Sequence, residues 1–173
     1  MEKHKTCSFF GHRKIEETEE LKKRLQDIII NLIEKEDVKI FLFGSKSDFN
    51  FLCHDVVTDL REQYSQIQRH TYTCRSETCI LEKERAYWEK IYSQFQKQPV
   101  VLLGVEKEVE QKTKYEAGKA SYVERNQAMI NDSDFCVFYY NKDYIPPTKT
   151  NSGTKIAYEY AIRKKKKVIN LFK

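Results

Sequence analysis

Short apolar runs that alternate with segments of helical periodicity are the feature that most constrains the fold of this chain. Two of the runs, Thr6–Phe10 and Val38–Phe43, have the length of buried strands, and apolar residues recur three or four positions apart in the segments that follow them. A third run, Phe135–Tyr140, comes shortly after a helical segment, Tyr122–Ile130. Strands that alternate with helices pair in parallel, and the helices cover both faces of the sheet. The sequence therefore predicts an α/β fold with a mainly parallel sheet flanked by helices.

The other elements have a less regular pattern. Ile67–Tyr72 alternates apolar and polar residues, which predicts a strand near an edge of the sheet. We expect a helix over Leu81–Phe95, a short strand over Val100–Leu103 and a last strand over Val168–Phe172. Glu106–Lys119 is charged, contains a glycine and lacks a clear period, so we interpret it as a mobile loop.

Length and composition favour a single-domain protein that is located in the cytoplasm. A chain of 173 residues with 40% hydrophobic content can bury one core, so we expect a single domain over residues 1–173. The net charge of +5 arises from 31 basic and 26 acidic residues, a mixed surface that argues against nucleic acid as the partner. The five cysteines are odd in number, no secretory signal precedes them, and no apolar run has the length of a membrane span. We therefore expect a cytoplasmic protein without a membrane partner.

Three loops after apolar runs carry small and polar residues that suit a phosphate group. They contain Gly11, His12 and Arg13 in the first loop, Gly44 and Ser45 in the second, and Ser152, Gly153 and Thr154 in the third. The third loop opens a helix on hydroxyl residues, where free backbone N–H groups and the helix dipole favour an anion. In a parallel sheet all three loops would lie at one edge, where ligands bind as the strand order reverses. Ordinary turns and ordinary helix capping remain the alternative interpretation.

Two polar residues of the helix over Tyr122–Ile130 lie on apolar faces. Arg125 and Asn126 must therefore be paired or reach a cleft. A binding role is one interpretation, and a structural ion pair of Arg125 with Asp132 or Asp134 is the other. Tyr140, at the end of the next strand, suits either stacking on a base or packing in the core.

Catalytic and metal-binding signals are weak. Glu159 is the only carboxylate in the turns after the third loop, and an ion pair with Arg163 four residues on is the alternative to a catalytic role. Lys164–Lys167 suits either a single-stranded nucleic-acid surface or the favourable end of the last helix. The cysteines and histidines have no metal-site spacing, so we predict neither a metal nor a cofactor.

The segments Ala117–Ile130, Ser133–Phe135 and Ser152–Ala161, together with the first two loops, resemble the SLOG superfamily. The closest resemblance is to the small YpsA-like group of Firmicutes and their phages. It implies a Rossmann-like three-layer sandwich that binds a nucleotide or an ADP-ribose-like ligand and serves in signal sensing or sequestration, including antiphage signalling. On this basis the three loops would contact phosphate or ribose, and Arg125 and Asn126 would line the wall of the site.

Some relatives that the resemblance brings in are enzymes. Lonely-guy phosphoribohydrolases and nucleoside deoxyribosyltransferases act on N-glycosidic bonds, and in them a carboxylate closely follows the Gly-Thr pair, where this chain has Ile156 and Ala157. Glu159 comes two positions later, which rotates it by roughly 200° around the helix. Binding is therefore favoured over hydrolysis or transfer. The relative DprA binds single-stranded DNA, which makes binding of single-stranded nucleic acid a second alternative. The oligomeric state is left open between a monomer, a homodimer and a higher homo-oligomer.

Overall fold

The structure of the protein, a computed structural model, describes residues 3–44, 47–75, 77, 104–115, 118–148 and 150–173. The helix predicted over Leu81–Phe95 and the strand predicted over Val100–Leu103 lie outside these residues.

Strands and helices alternate along the described chain, except that β4 is the next described element after β3. The elements are β1 (Lys5–Gly11), α1 (Glu19–Glu34), β2 (Val38–Phe43), α2 (Asp48–Leu60), β3 (Gln68–Cys74), β4 (Lys107–Gln111), α3 (Gly118–Asp132), β5 (Phe135–Tyr139), α4 (Gly153–Arg163) and β6 (Lys167–Asn170). The strands form one sheet in the order β4-β3-β2-β1-β5-β6, and every neighbouring pair is parallel. The predicted Rossmann-like three-layer α/β sandwich is therefore confirmed.

The strand order reverses between β1 and β5, which are neighbours at the middle of the sheet. Cys7 is aligned with Phe135, and Gly11 with Tyr139. From β1 the chain proceeds outward through β2 and β3, whereas from β5 it proceeds to β6 on the other side. Ligands of open parallel sheets bind at this reversal, beyond the carboxyl ends of the strands.

Alternate residues of the strands supply two separate apolar cores. Phe9 packs on Phe43, with ring centroids 5.3 Å apart, in the core that α1 and α2 cover. Its neighbour Phe10 packs on Phe138, at 5.1 Å, in the core that α3 and α4 cover. Because successive side chains of a strand point to opposite faces, uninterrupted apolar runs are what a sheet covered on both sides requires.

Hydroxyl side chains start three of the helices. Thr18, Ser47 and Ser152 are the N-cap residues of α1, α2 and α4, and each accepts a hydrogen bond from the backbone N–H three residues on. Such caps satisfy one of the first N–H groups of a helix. They fix the points at which the chain leaves the carboxyl edge of the sheet and enters each helix.

The structure corrects the prediction of a loop over Glu106–Lys119. Residues 107–111 form β4, which pairs in parallel with β3 and is itself the edge strand, so β3 is the second strand from the edge. Burial raises the pKa of Glu106, but hydrogen bonds and charge from Arg69, with the charge of Arg61, outweigh it and hold that pKa at about 2. This charged network, with Arg69 Nη2 2.9 Å from Glu106 Oε1, fastens β4 to β3 without an apolar run.

Within the described residues, Cys7, Cys53, Cys74 and Cys136 are buried and form no disulfide. Burial raises the pKa of Cys7 and of Cys53, so both thiols stay protonated and are poor nucleophiles. Among the helices of the described residues, none has the length and apolar character needed to cross a membrane.

Candidate functional site

The candidate site lies at the carboxyl edge of the sheet. The loops after β1, β2 and β5 all leave this edge, because the three strands are parallel neighbours. The prediction that the three loops meet at one edge is therefore confirmed. α4 begins at the same edge and packs against β1, β5 and β6.

The first loop owes its glycine to close packing. A methyl group added at Gly11 would lie 2.4 Å from the Phe49 ring, so the space beside Gly11 is already filled by α2. Arg13 is exposed, and its backbone carbonyl accepts a hydrogen bond of 2.9 Å from the N–H of Asp48, at the start of α2. The loop is thus fixed by its backbone, and the Arg13 side chain extends into solvent.

His12 is buried and neutral. Its Nε2 accepts a hydrogen bond of 2.9 Å from the backbone N–H of Asn141, which only the neutral imidazole can do. Burial lowers the pKa of His12, which favours the same uncharged form. The ring packs against Tyr144, with centroids 4.5 Å apart. His12 therefore joins the first and third loops and, at neutral pH, brings no positive charge to a phosphate.

Asn50 fixes the second loop, and sequence reasoning missed it. Its Oδ1 accepts from the Gly44 N–H at 3.2 Å, and its Nδ2 donates to Ser47 Oγ at 3.1 Å and to the Phe9 carbonyl at 3.5 Å. One buried amide thereby joins the ends of β1 and β2. The only signal in the sequence is a polar residue between the apolar Phe49 and Phe51. Ser45 lies outside the described residues.

Arg125 reaches the second loop from α3. Its guanidinium lies beside Gly44, where an added methyl group would be 3.3 Å from Nη2. Nη1 forms a buried ion pair with Glu77, and Nη2 donates to Asn126 Oδ1 at 3.0 Å. Glu77 Oε2 in turn accepts from the Cys74 N–H at 2.8 Å. The positive charge of Arg125 is therefore largely neutralised inside the protein.

The structural partner of Arg125 differs from the two carboxylates considered in the sequence. Asp132 accepts from the Tyr72 hydroxyl at 2.7 Å, and Asp134 accepts from the Thr6 N–H at 3.0 Å. Glu77 lies between the predicted strand Ile67–Tyr72 and the predicted helix Leu81–Phe95, where the sequence analysis assigns no element. No periodicity argument would have found it.

Aromatic side chains line the end of β5. Tyr140 is 7% exposed and packs on Tyr158, with ring centroids 4.8 Å apart, so it is mainly a core residue. Tyr144 is 45% exposed and packs on His12. Asn170 holds Tyr140 in place through its backbone: Oδ1 accepts from the Tyr140 N–H and Nδ2 donates to the Tyr140 carbonyl, both at 3.0 Å. Tyr144 therefore has more open aromatic surface than Tyr140.

The first turn of α4 is open at its glycine. Ser152 Oγ accepts from the Lys155 N–H at 3.0 Å, and Thr154 is buried. A methyl group added at Gly153 would meet no described atom within 4 Å. The space beside Gly153 is therefore open at the start of the helix, the end at which backbone N–H groups lack intrahelical partners.

Glu159 lies on the solvent side of α4. Its Oε1 is 3.9 Å from Lys155 Nζ, and 60% of its side chain is exposed. The expected ion pair with Arg163 is absent from the described residues, because Arg163 packs over the Tyr160 ring at 5.1 Å. No three His, Cys, Asp or Glu side chains lie together as a metal site within the described ranges.

Comparison with known proteins connects this geometry to a family. The model of the YpsA family, described as the YspA SLOG family, matches residues 3–172. A solved structure of DNA processing protein A from Helicobacter pylori, reported for its single-stranded DNA binding mode, is similar, with a TM-score of 0.52 and 12% sequence identity. The match covers 96% of this chain, which spans 64% of that protein. At this identity the likeness shows the fold alone. No curated protein matches the sequence.

Proposed function

Since the chain belongs to the YspA SLOG family, we propose that it binds a nucleotide or a nucleotide-derived, ADP-ribose-like ligand at the carboxyl edge of its sheet. The ligand is bound without being cleaved, as in a sensor or a sequestering protein. The observation that carries the proposal is the meeting of three strand-end loops with the open N-terminus of α4, beside the reversal of strand order. The DNA-binding neighbour supports nucleotide chemistry on this fold.

The phosphate of the ligand lies at the start of α4. The Ser152 side chain already accepts from the Lys155 N–H, and the first main-chain bond of the helix runs from Ile156 N–H to the Ser152 carbonyl. In the first turn of α4, the N–H groups of Gly153 and Thr154 are therefore the ones that remain available to a ligand, as far as the described residues show. They also lie at the positive end of the helix dipole.

The nucleoside part lies against the first loop and the aromatic cluster. The exposed face of Tyr144 offers a stacking surface for a base, since its other side packs on His12. Asn126 Oδ1 accepts a hydrogen bond from Arg125 Nη2. This bond orients the Asn126 amide so that the Nδ2 group can donate to a ribose hydroxyl. Arg13 is the cation of the first loop.

The position of Glu159 supports binding without cleavage, with a catalytic acid from the segment between Arg75 and Glu116 as the alternative. An N-glycosidase needs a carboxylate as acid, base or nucleophile at the bond that breaks. Glu159 is exposed and lies 3.9 Å from Lys155, on the solvent side of α4. Incubation with nucleoside monophosphates and NAD, followed by chromatography for released base, tests this step. Released base would establish the N-glycosidase alternative.

Substitution at Gly153 tests the phosphate position. Gly153→Asp places a negative charge at the start of α4, where the helix dipole tolerates it and space is open. A like charge within about 6 Å of a phosphate costs on the order of 2 kcal/mol, so affinity should fall at least about 10-fold. Gly153→Asn, of the same size without the charge, is the matched control. Affinity for AMP, ADP-ribose and NAD is measured by calorimetry.

Thermal unfolding supplies an independent measurement. A ligand at 100 times its Kd stabilises the native protein by about 2.7 kcal/mol, a rise in Tm of about 5–10 °C for a domain of this size. Without ligand, both Gly153 variants should melt within about 2 °C of the wild type. Equal nucleotide affinity of the Asp and Asn variants would show that the phosphate does not bind at the start of α4. No binding of any of the three nucleotides to the wild type would overturn the proposed ligand class.

A further inference from the structure

A cleft lined by lysines lies at the amino edge of the sheet, opposite the candidate nucleotide site. An open cleft of about 350 Å³ runs along the starts of β1, β5 and β6. It is lined by Lys5, Ser133, Asp134, Phe135 and Lys164–Lys167. We call it the lysine cleft. A strand of five residues spans about 17 Å, so the length of β5 separates the cleft from the carboxyl edge.

Two of the lysines share one carboxylate. Lys5 Nζ lies 3.7 Å and Lys167 Nζ 3.5 Å from the same oxygen, Glu36 Oε2. Lys167 Nζ also lies over the Phe135 ring, 4.8 Å from its centroid. Both lysine side chains are about half or more exposed. One negative charge therefore faces two cations that are accessible to solvent.

The other groups of the cleft leave the positive charge in excess. Asp134 Oδ2 faces the start of β1, where it accepts from the N–H of Thr6 at 3.0 Å. Lys166 Nζ donates to the carbonyls of Asn131 at 3.0 Å and Ser133 at 2.7 Å, so this side chain has a structural role. Lys164 and Lys165 are exposed, and Lys164 Nζ lies over the Tyr160 ring. Five ammonium groups thus meet two carboxylates.

We propose that the lysine cleft binds the phosphate backbone of single-stranded nucleic acid without sequence preference. Lysine is a point charge that contacts phosphates, and among the described residues the lining contains no Asn, Gln or Arg side chain to recognise base edges. α4 ends at Arg163 with Lys164 as its C-cap, so the negative end of its dipole lies here and disfavours a lone buried phosphate. Affinity must therefore come from several exposed cations acting on successive phosphates. The proposal does not rest on the proposed nucleotide site.

The salt dependence of binding measures the number of contacts. Four lysines of the cleft have accessible charges, Lys5, Lys164, Lys165 and Lys167, and single strands give a slope of about −0.7 per neutralised phosphate in log K against log salt. Between 50 and 200 mM NaCl the wild type should therefore lose affinity about 50-fold for a fluorescein-labelled oligo-dT of about 20 nucleotides. Fluorescence anisotropy gives both affinities.

A triple variant assigns those contacts to the cleft. Lys164→Gln, Lys165→Gln and Lys167→Gln together spare the structural Lys166, and the salt effect should drop to about threefold. A triple control removes the same charge elsewhere, at Lys22, Lys23 and Lys112, each changed to Gln. It should keep the wild-type salt dependence.

Three results would overturn the proposal. The first is that the wild type does not bind the oligonucleotide at 50 mM NaCl. The second is that both triple variants lose the salt dependence of oligonucleotide affinity equally. The third is that saturating AMP abolishes oligonucleotide binding while the cleft variant still binds the oligonucleotide. The last result would place the strand at the carboxyl edge. Failure of AMP binding alone leaves the lysine cleft unaffected, so the two proposals fail independently.

Discussion

Replacing Gly11 by alanine tests whether this glycine serves packing. The added methyl carbon would lie 2.4 Å from Cγ and Cδ1 of Phe49 and 2.5 Å from its Cβ. Ordinary carbon contacts are about 3.5–4.0 Å, so the overlap exceeds about 1 Å. Rotation of the ring cannot relieve a clash with Cβ, and Phe49 is fully buried against Tyr139. The backbone of β1 or α2 must shift, and we expect a loss of about 3 kcal/mol, the upper part of the range for overpacked cores.

Urea unfolding followed by circular dichroism measures this loss, and Tm should fall by about 6–12 °C. Gly153→Ala is the matched control, because the same change meets open space there and should leave stability equal or raise it by up to about 1 kcal/mol. In the double variant Gly11→Ala with Phe49→Ala, the loss should be smaller than the sum of the two single losses, since the overlap with Cγ and Cδ1 disappears with the ring and only the overlap with Cβ stays. A Gly11→Ala protein within about 0.5 kcal/mol of the wild type would refute the packing argument.

Two further predictions concern the buried polar groups of the site. Burial lowers the pKa of His12 below its usual 6.5, so the stability from the neutral ring is complete above that pH and is lost as pH falls toward the folded-state pKa. His12→Gln should therefore weaken the decline in the free energy of unfolding between about pH 7 and pH 5, and an unchanged pH dependence contradicts this role. Arg125→Ala leaves the buried Glu77 carboxylate unpaired and should cost about 3–5 kcal/mol in calorimetric unfolding. Adding Glu77→Gln should recover part of that loss, and no recovery would mean that the pair is not what stabilises the fold.

The parts of the fold that follow from local chemistry could be predicted from the sequence. Phe9 and Phe10 are both apolar because β1 is covered on both faces, and such a run identifies a central parallel strand. The hydroxyl residues Ser47 and Ser152 mark helix starts through capping. Once these strands are parallel, the meeting of their loops at one edge follows from topology alone.

Other features depend on partners that are distant in sequence. β4 contains only Val109 as an apolar residue, and its place is fixed by the network of Arg69 and Glu106. The ion pair of Arg125 joins residues 48 positions apart, in a geometry that no spacing rule contains. The same limit applies to Gly11, because a larger residue there is excluded by Phe49, which belongs to α2. Local patterns therefore identified the candidate loops, whereas tertiary contacts decide the structural role of each residue in them.

Salt should separate the two edges of the sheet. At the carboxyl edge, Arg125 is neutralised by Glu77 and His12 is uncharged, so the proposed phosphate would be held mainly by N–H groups and by a dipole equivalent to about half a charge. Affinity for AMP or ADP-ribose should therefore change less than about threefold between 50 and 200 mM NaCl, against about 50-fold for the oligonucleotide at the lysine cleft. Calorimetry and anisotropy in matched buffers make the comparison. A steep salt dependence of the mononucleotide would mean that the exposed Arg13 or Lys155, and not the start of α4, carries the phosphate.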